Sequence, residues 1–99
     1  MANYRDHLER HRRLSLLRCL AETPGYSSND SLLTQVVNSF GLTSTRDQVR
    51  SSLAWMAEQR LVTVDEVSGV MVAKATARGV EIAEGRATHP DVERPWPPA

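Results

Sequence analysis

The segment from Gly41 to Val64, GLTSTRDQVRSSLAWMAEQRLVTV, constrains the fold more than any other part of the chain, because a helical pattern passes directly into a strand pattern. Val49, Leu53 and Met56 recur at spacings of four and three, which predicts a helix that buries one face. The residues LVTV at 61–64 are mostly β-branched, which predicts a strand. The other elements must therefore pack around a helix that leads straight into a strand.

We place this helix at about residues 45–59. Ser44 is its predicted N-cap, with Asp47 three residues later. A hydroxyl and a carboxylate at these positions stabilise the unpaired N–H groups of the first turn and the positive end of the helix dipole.

Two shorter helical patterns precede this segment. Leucines recur at helical spacing within residues 3–21, and a Thr-Pro-Gly sequence ends this first helix. Ser27 and Asp30 repeat the capping pattern ahead of a second helix over residues 32–40, and Gly41 supplies its left-handed stop. Only a short turn then separates the second helix from the third, which is the helix-turn-helix arrangement.

A hairpin and a fourth helix are predicted after the third helix. Residues 61–65 and 70–75 read as two strands joined around the turn at 66–69, which contains a glycine. Thr76 is the predicted N-cap of a last helix from Ala77 to about Gly85.

The order α-α-α-β-β-α predicts a mainly α fold with a small β-hairpin, a winged helix-turn-helix domain over residues 1–85. Four of the five prolines lie within residues 86–99, so this segment is predicted to be an extended tail. Trp96 is the predicted anchor of that tail.

Composition favours a cytoplasmic protein. The 99 residues have a formal net charge of zero, which argues mildly against indiscriminate phosphate binding. Cys19 is the single cysteine and stands in a leucine-rich helix, so we expect a buried thiol and a reducing compartment. No apolar run approaches the length of a membrane span, and the chain does not open with a signal-peptide pattern.

No enzymatic chemistry is predicted. The sequence has no glycine-rich phosphate loop, no nucleophile elbow and no catalytically spaced carboxylate pair. His7 and His11 lie four residues apart on a helix, but no third metal ligand lies nearby in the sequence. We therefore expect no catalytic residues, no metal and no cofactor.

Two resemblances support the predicted fold. A hydrophobic strand leading into T-x-x-G (Thr76 to Gly79), after three helices, is similar to the winged-helix domains of ArsR- and MarR-type regulators. The segments YRDHLERHRRLSLLRCL, PGYSSNDSLL and GRATHPDVERP, with the third helix, resemble the small winged-helix proteins of Mu-like prophages. ArsR-type metal sensors carry paired cysteines in the third helix; this chain has none there, so the resemblance does not imply metal sensing.

Two functions of different class remain open. In the first, the protein is a phage or prophage transcription regulator whose third helix reads the major groove of double-stranded DNA. The predicted base-edge residues are Thr45, Arg46, Gln48, Ser51 and Ser52, and the predicted phosphate contacts are Arg50, Arg12 and Arg13. The arginine-rich face of helix 1 also fits a solvated surface with charge pairs.

In the second, the same scaffold is a protein–protein interaction module in phage assembly or host takeover, without sequence-specific DNA binding. The neutral charge and the acidic hairpin at Asp65 and Glu66 favour this alternative. For DNA binding we expect a homodimer, formed through helix 1, with Tyr4 and Leu8, or through the tail around Trp96. Trp55 is predicted to cover the core edge, to contact a second subunit or to stack on nucleic acid.

Overall fold

A short strand that was not predicted from the sequence pairs with the hairpin and positions the second helix beside it. The computed structural model describes residues 3–95, which form four helices and a three-stranded antiparallel sheet in the strand order β1-β3-β2. The helices are α1 Tyr4–Glu22, α2 Asp30–Ser39, α3 Arg46–Glu58 and α4 Ala77–Ala83, and the strands are β1 Ser27–Asn29, β2 Val62–Val67 and β3 Val70–Ala75. The prediction of a mainly helical chain with a small hairpin is confirmed, and β1 is added to it.

Pairing with the hairpin fixes the start of α2. β1 pairs antiparallel with β3, and Asn29 lies opposite Val72. The prediction of Ser27 as the N-cap of α2 is wrong, because residues 27–29 are held extended in the sheet. Asn29 is the first residue able to cap, and its side-chain oxygen accepts the N–H of Leu32 at 2.8 Å.

The start of α3 also differs from the prediction by one residue. Thr45, not Ser44, is the N-cap, and it forms a reciprocal capping box with Gln48. The Gln48 N–H donates to the Thr45 hydroxyl at 3.0 Å, and the Thr45 N–H donates to the Gln48 side chain at 2.9 Å. Ser44 is instead buried, and its hydroxyl accepts a hydrogen bond from Arg12 at 2.8 Å.

The core lies where α1, α2 and α3 meet the sheet. The predicted stripe of α3 is confirmed, since Val49, Leu53 and Met56 are fully buried. The remaining large, fully buried side chains are Leu16, Leu17, Leu20, Leu33, Val37, Leu61, Val62, Ile82 and Val92. Within residues 3–95, no helix has the length and apolar character needed to cross a membrane.

The hairpin is tighter than predicted. β2 extends to Val67, which pairs with Val70, so the turn consists only of Ser68 and Gly69. Both residues have positive φ, 52° and 79°, which is the backbone of a two-residue turn that matches strand twist. Gly69 thus adopts a left-handed backbone conformation, which glycine tolerates because it has no Cβ.

The T-x-x-G segment joins α4 to the end of α3. Thr76 caps α4 as predicted: its hydroxyl accepts the Gly79 N–H at 3.1 Å, and its hydrogen is shared between the carbonyls of Arg60 at 2.8 Å and Leu61 at 3.0 Å. Gly79 packs directly on the Leu61 carbonyl. A Cβ at position 79 would lie 2.1 Å from the Leu61 oxygen, so only glycine fits at this distance.

Residues 86–95 contain no helix or strand, and they pack against the body of the domain. Val92 is fully buried, and the Glu93 N–H donates to the Arg10 carbonyl at 3.2 Å. The segment is not uniformly extended as predicted, because the Val92 N–H donates to the His89 carbonyl at 3.2 Å and closes a turn, and the buried side chain of Val92 completes the core. The predicted anchor Trp96 lies outside the described residues.

We expect Leu53→Ala to lower the free energy of unfolding by about 2–5 kcal/mol, because it leaves a cavity at the centre of the α3 stripe. Urea denaturation measures this loss. Ser51→Ala on the exposed face of α3 is the matched control, with an expected change within about 0.5 kcal/mol. Equal stabilities of the two variants would mean that the buried face of α3 is assigned wrongly.

We expect Gly79→Ala to destabilise the protein by about 3 kcal/mol, at the upper end for overpacking, because backbone must move to relieve the clash with the Leu61 carbonyl. Thermal melting of Gly79→Ala beside Arg78→Ala, an exposed neighbour on α4, tests this expectation. A stabilised Gly79→Ala protein, as helix propensity alone would give, would contradict it.

Candidate nucleic-acid interface

The predicted DNA-contacting arginines of α3 meet at one buried carboxylate. Asp30, the first residue of α2, has no solvent exposure. Its oxygens accept hydrogen bonds from Arg46 Nε at 3.1 Å and Nη2 at 3.3 Å, and from Arg50 Nη1 at 2.8 Å. Asp30 therefore ties the start of α2 to the first two turns of α3.

The environment of Asp30 stabilises its charged form. Burial raises the pKa of the Asp30 carboxyl, but hydrogen bonds from Arg46, Arg50 and the backbone N–H of Met71 outweigh burial and lower the pKa below its usual value. Because Arg46 and Arg50 also donate to the Gly69 carbonyl, the arginines that bond this carboxylate connect α2 and α3 to the hairpin.

The arginines continue this network to the hairpin. Arg50 also pairs with Glu66 of β2, and it donates to the Gly69 carbonyl at 3.3 Å. Arg46 reaches the same carbonyl at 3.4 Å, and about half of its side chain stays exposed. Two guanidinium groups thus face two carboxylates, and the cluster has no net charge.

The outward face of α3 is open to solvent and consists of small or polar side chains. Its exposed residues include Thr45, Asp47, Gln48, Ser51, Ala54 and Glu58. Thr45 and Gln48 already use part of their hydrogen-bonding capacity in the capping box. Ser51 is also a predicted contact on this face, and its side chain makes no capping hydrogen bond within residues 3–95.

Two predicted contacts are buried, which corrects the expectation that they face solvent. Arg12 bonds Glu9 at 2.6 Å and Ser44 at 2.8 Å, so it serves to attach α1 to the turn before α3. Ser52 is also buried, and its hydroxyl has no hydrogen-bond partner among residues 3–95. A hydroxyl or guanidinium in these positions cannot reach a nucleic acid without a rearrangement of the core.

Arg13 lies in a different place from the other predicted contacts. Its guanidinium stacks on the ring of Trp55, 3.9 Å from the ring centroid, and donates to the Asp91 carbonyl at 2.8 Å. His89 meets the same indole edge-on, with ring centroids 5.3 Å apart, and its Nε2 lies 3.1 Å from the Gln59 side-chain oxygen. These contacts hold the C-terminal segment on α1 and α3, so Trp55 covers an edge of the fold.

Sequence reasoning missed Asp30 as the centre of the site and treated it as a capping carboxylate. A signal was present: Arg46 and Arg50 are one turn apart at the border of the apolar stripe of α3, where two cations need an anion. Among residues 3–95 no three His, Cys, Asp or Glu side chains cluster as metal ligands, and His11 instead bonds Glu93 at 3.1 Å.

We expect Asp30→Asn to lower the free energy of unfolding by about 2–4 kcal/mol at pH 7, since it removes the carboxylate that Arg46 and Arg50 share and leaves Arg50 with Glu66 alone. The folded-state pKa of Asp30 is lowered, so its contribution is present above the unfolded pKa of about 3.9 and is lost as the pH falls through the folded-state value. The deficit of the variant should therefore shrink at low pH.

Urea denaturation at neutral pH and near pH 3 would measure this difference. Asp47→Asn, with the same change of charge on the exposed face of α3, is the control and should show only a small effect. A deficit for Asp30→Asn of the same size at both pH values would rule out the ionised carboxylate as its source.

Comparison with known proteins identifies relatives over nearly the whole chain. An uncharacterised protein, gp26 of Escherichia phage Mu, is 42% identical over 94 residues, which cover 95% of this chain and 97% of gp26. An uncharacterised protein of Haemophilus influenzae is 35% identical over 77 residues, 77% of this chain and 74% of that protein. No protein-family model and no solved structure matches the chain. The extent and identity of the first match show that this chain belongs to the family of phage Mu gp26.

Proposed function

We propose that the protein binds double-stranded DNA as a winged-helix transcription regulator of Mu-like phages, with α3 in the major groove. One observation carries the proposal: the outward face of the first two turns of α3 is exposed and polar, and the same turns contain two arginines that Asp30 holds in position. In helix-turn-helix proteins the N-terminal residues of the second helix meet base edges.

The arrangement of elements supports this assignment. α2, the turn from Gly41 and α3 correspond to a helix-turn-helix, and the β2–β3 hairpin beside α3 corresponds to a wing. Arg46 and Arg50 both bond the Gly69 carbonyl at the hairpin turn, so the hairpin and α3 would approach DNA as one unit. The same order underlies the resemblance to ArsR- and MarR-type domains.

The geometry reduces the set of proposed contacts. Gln48 and Ser51 are assigned to base edges, and Thr45 lies beside them at the N-cap. Arg46, whose Nη1 has no partner within residues 3–95, is assigned to a base edge or phosphate, and Arg50 to phosphate. Arg12 and Ser52 are left out because they are buried, and Arg13 because it stacks on Trp55.

Glu66 would limit the affinity for DNA. Its carboxylate pairs with Arg50, the residue assigned to phosphate, so a phosphate would have to compete with this pair. With Asp30 and Glu66 balancing both arginines, little counterion release is available. We therefore expect weak binding to random duplex, with sequence preference supplied mainly by the polar face of α3.

A protein–protein interaction module is the second candidate, and the charge distribution favours it. The arginine cluster is neutral, and the exposed carboxylate of Asp47 lies in the same first turn of α3 as the proposed DNA contacts. A partner protein tolerates such a surface, whereas a phosphate backbone is repelled by it.

A random duplex pool, retained by the protein at low and at physiological salt, separates the two functions. For DNA binding we expect an enriched sequence that persists at physiological salt. Arg50→Ala should weaken binding to all sequences and flatten the salt dependence, whereas Gln48→Ala should reduce the preference for the enriched site by about 1–3 kcal/mol. Melting curves of each variant control for loss of fold.

Glu66→Gln provides a gain-of-function test, because it releases Arg50 from its outer partner. We expect tighter binding and a salt slope steeper by about one phosphate contact. Asp65→Asn is the matched control, since it removes the same charge from the neighbouring residue, which is exposed and has no ion pair among residues 3–95. Equal effects of the two variants, or retention that vanishes with salt and enriches nothing, would leave the interaction module as the function.

A further inference from the structure

The outer face of α2 carries a row of apolar side chains that nothing in residues 3–95 covers. Leu32 and Val36 lie one turn apart on α2, and Phe40, the C-cap residue, continues the spacing of four on the same side. Leu32 is 52% exposed and Phe40 is 67% exposed, while Val36 between them is half-buried. Contiguous exposed apolar residues of this kind mark an interaction surface more often than single ones do.

A groove deepens this surface on the side of α1. It encloses about 670 Å³ between α1 and the C-terminal end of α2. Its apolar lining comes from Cys19, Val36, Phe40 and Leu42. Burial raises the pKa of the Cys19 thiol, so this wall is uncharged at neutral pH.

The charge of the surface restricts the kind of partner. Residues 31–40 contain no charged side chain, although charged residues make up 24% of the chain. The α1 rim of the groove carries Arg18 and Glu22, one turn apart and of opposite sign. Nucleic acid requires a cationic surface, and a strongly charged protein would find no complement here. A second copy of the same neutral surface meets no like-charge repulsion.

We propose that α2 is the two-fold interface of a homodimer, in which the two α2 helices pack antiparallel. The row is symmetric about Val36, with Leu32 one turn before it and Phe40 one turn after. A two-fold axis at Val36 therefore places Leu32 of one protomer against the partner's Phe40, twice in each dimer. Rows with a spacing of four residues on both helices are also the rows that interdigitate in the commonest class of helix packing.

This interface differs from the dimer surfaces predicted from the sequence. Tyr4 is 77% exposed at the start of α1 but stands apart from the groove, and Leu8 is half-buried. The C-terminal segment up to residue 95 packs on its own chain through Val92 and Glu93. The proposal is independent of DNA binding, since it uses no residue of α3 or of the hairpin.

Sedimentation of the full chain over a micromolar concentration series tests the proposal. We expect a reversible dimer for the unmodified protein. Leu32→Lys and Phe40→Glu should each raise the dissociation constant by about 30-fold or more, as substitutions at the centre of an interface do. Circular dichroism verifies that both variants fold, which we expect because the two side chains are largely exposed.

The double variant Leu32→Lys with Phe40→Glu tests the antiparallel arrangement. The two new charges lie two turns apart within one chain, but they meet as opposite charges across the proposed two-fold axis. We expect the double variant to dimerise at least about 10-fold more tightly than either single variant, with this recovery lost at high salt. Tyr4→Glu is the control and should leave the dimer intact.

The outcomes are decisive in both directions. Dissociation by each single variant and recovery in the double variant support the α2 interface. A monomeric unmodified protein, a dimer that survives both single variants, a dimer broken by Tyr4→Glu alone or a double variant without recovery would overturn it.

Discussion

The buried carboxylate of Asp30 is the interaction on which the orientation of α3 depends. It receives three hydrogen bonds from two arginines of α3, while Asp30 itself begins α2. Apolar packing alone allows a helix to rotate by small amounts over a sheet. A carboxylate that accepts three directed hydrogen bonds opposes such rotation, because each lost bond leaves its buried charge less satisfied.

The short strand β1 is what brings Asp30 to this position. β1 pairs with β3 at the edge of the sheet, and α2 begins at the residue that follows β1, next to the hairpin. The ion-pair cluster around Asp30 thus depends on the pairing of β1 in the sheet, because Asp30 directly follows β1. Arg46 and Arg50 therefore hold α2, α3 and the hairpin together. A ligand that binds these arginines must compete with those contacts.

Local patterns in the sequence were enough to predict the helices and the hairpin. The stripe of Val49, Leu53 and Met56 and the cap at Thr76 depend on neighbours within a few positions, and both are confirmed. β1 could not be predicted, since three polar residues carry no periodicity and become a strand only by pairing with β3. Likewise, Asp30 has the same local pattern whether it caps a helix or binds two distant arginines.

The site was predicted less completely than the fold for the same reason. Solvent exposure of a helical residue depends on what packs over it, and α1 sequence alone does not reveal that Arg12 turns toward Ser44. Nor does it show that Arg13 is covered by the segment that carries His89 and Asp91. Residue type indicated which side chains could bind nucleic acid, and long-range packing decided which of them are accessible.

The packing of the C-terminal segment has a consequence for folding kinetics. Arg10 and Glu93 are in contact although they lie 83 positions apart in the sequence, and the packing of α1 on α4 also brings distant parts of the chain together. Because residues 86–95 contain no helix or strand and pack on surfaces formed by α1 and α3, we expect this segment to dock after the helices and the sheet have assembled. Weakening the contacts of Val92 or His89 would then speed unfolding while leaving the folding rate nearly unchanged. The lifetime of the native state is thus governed by residues that take little part in forming it.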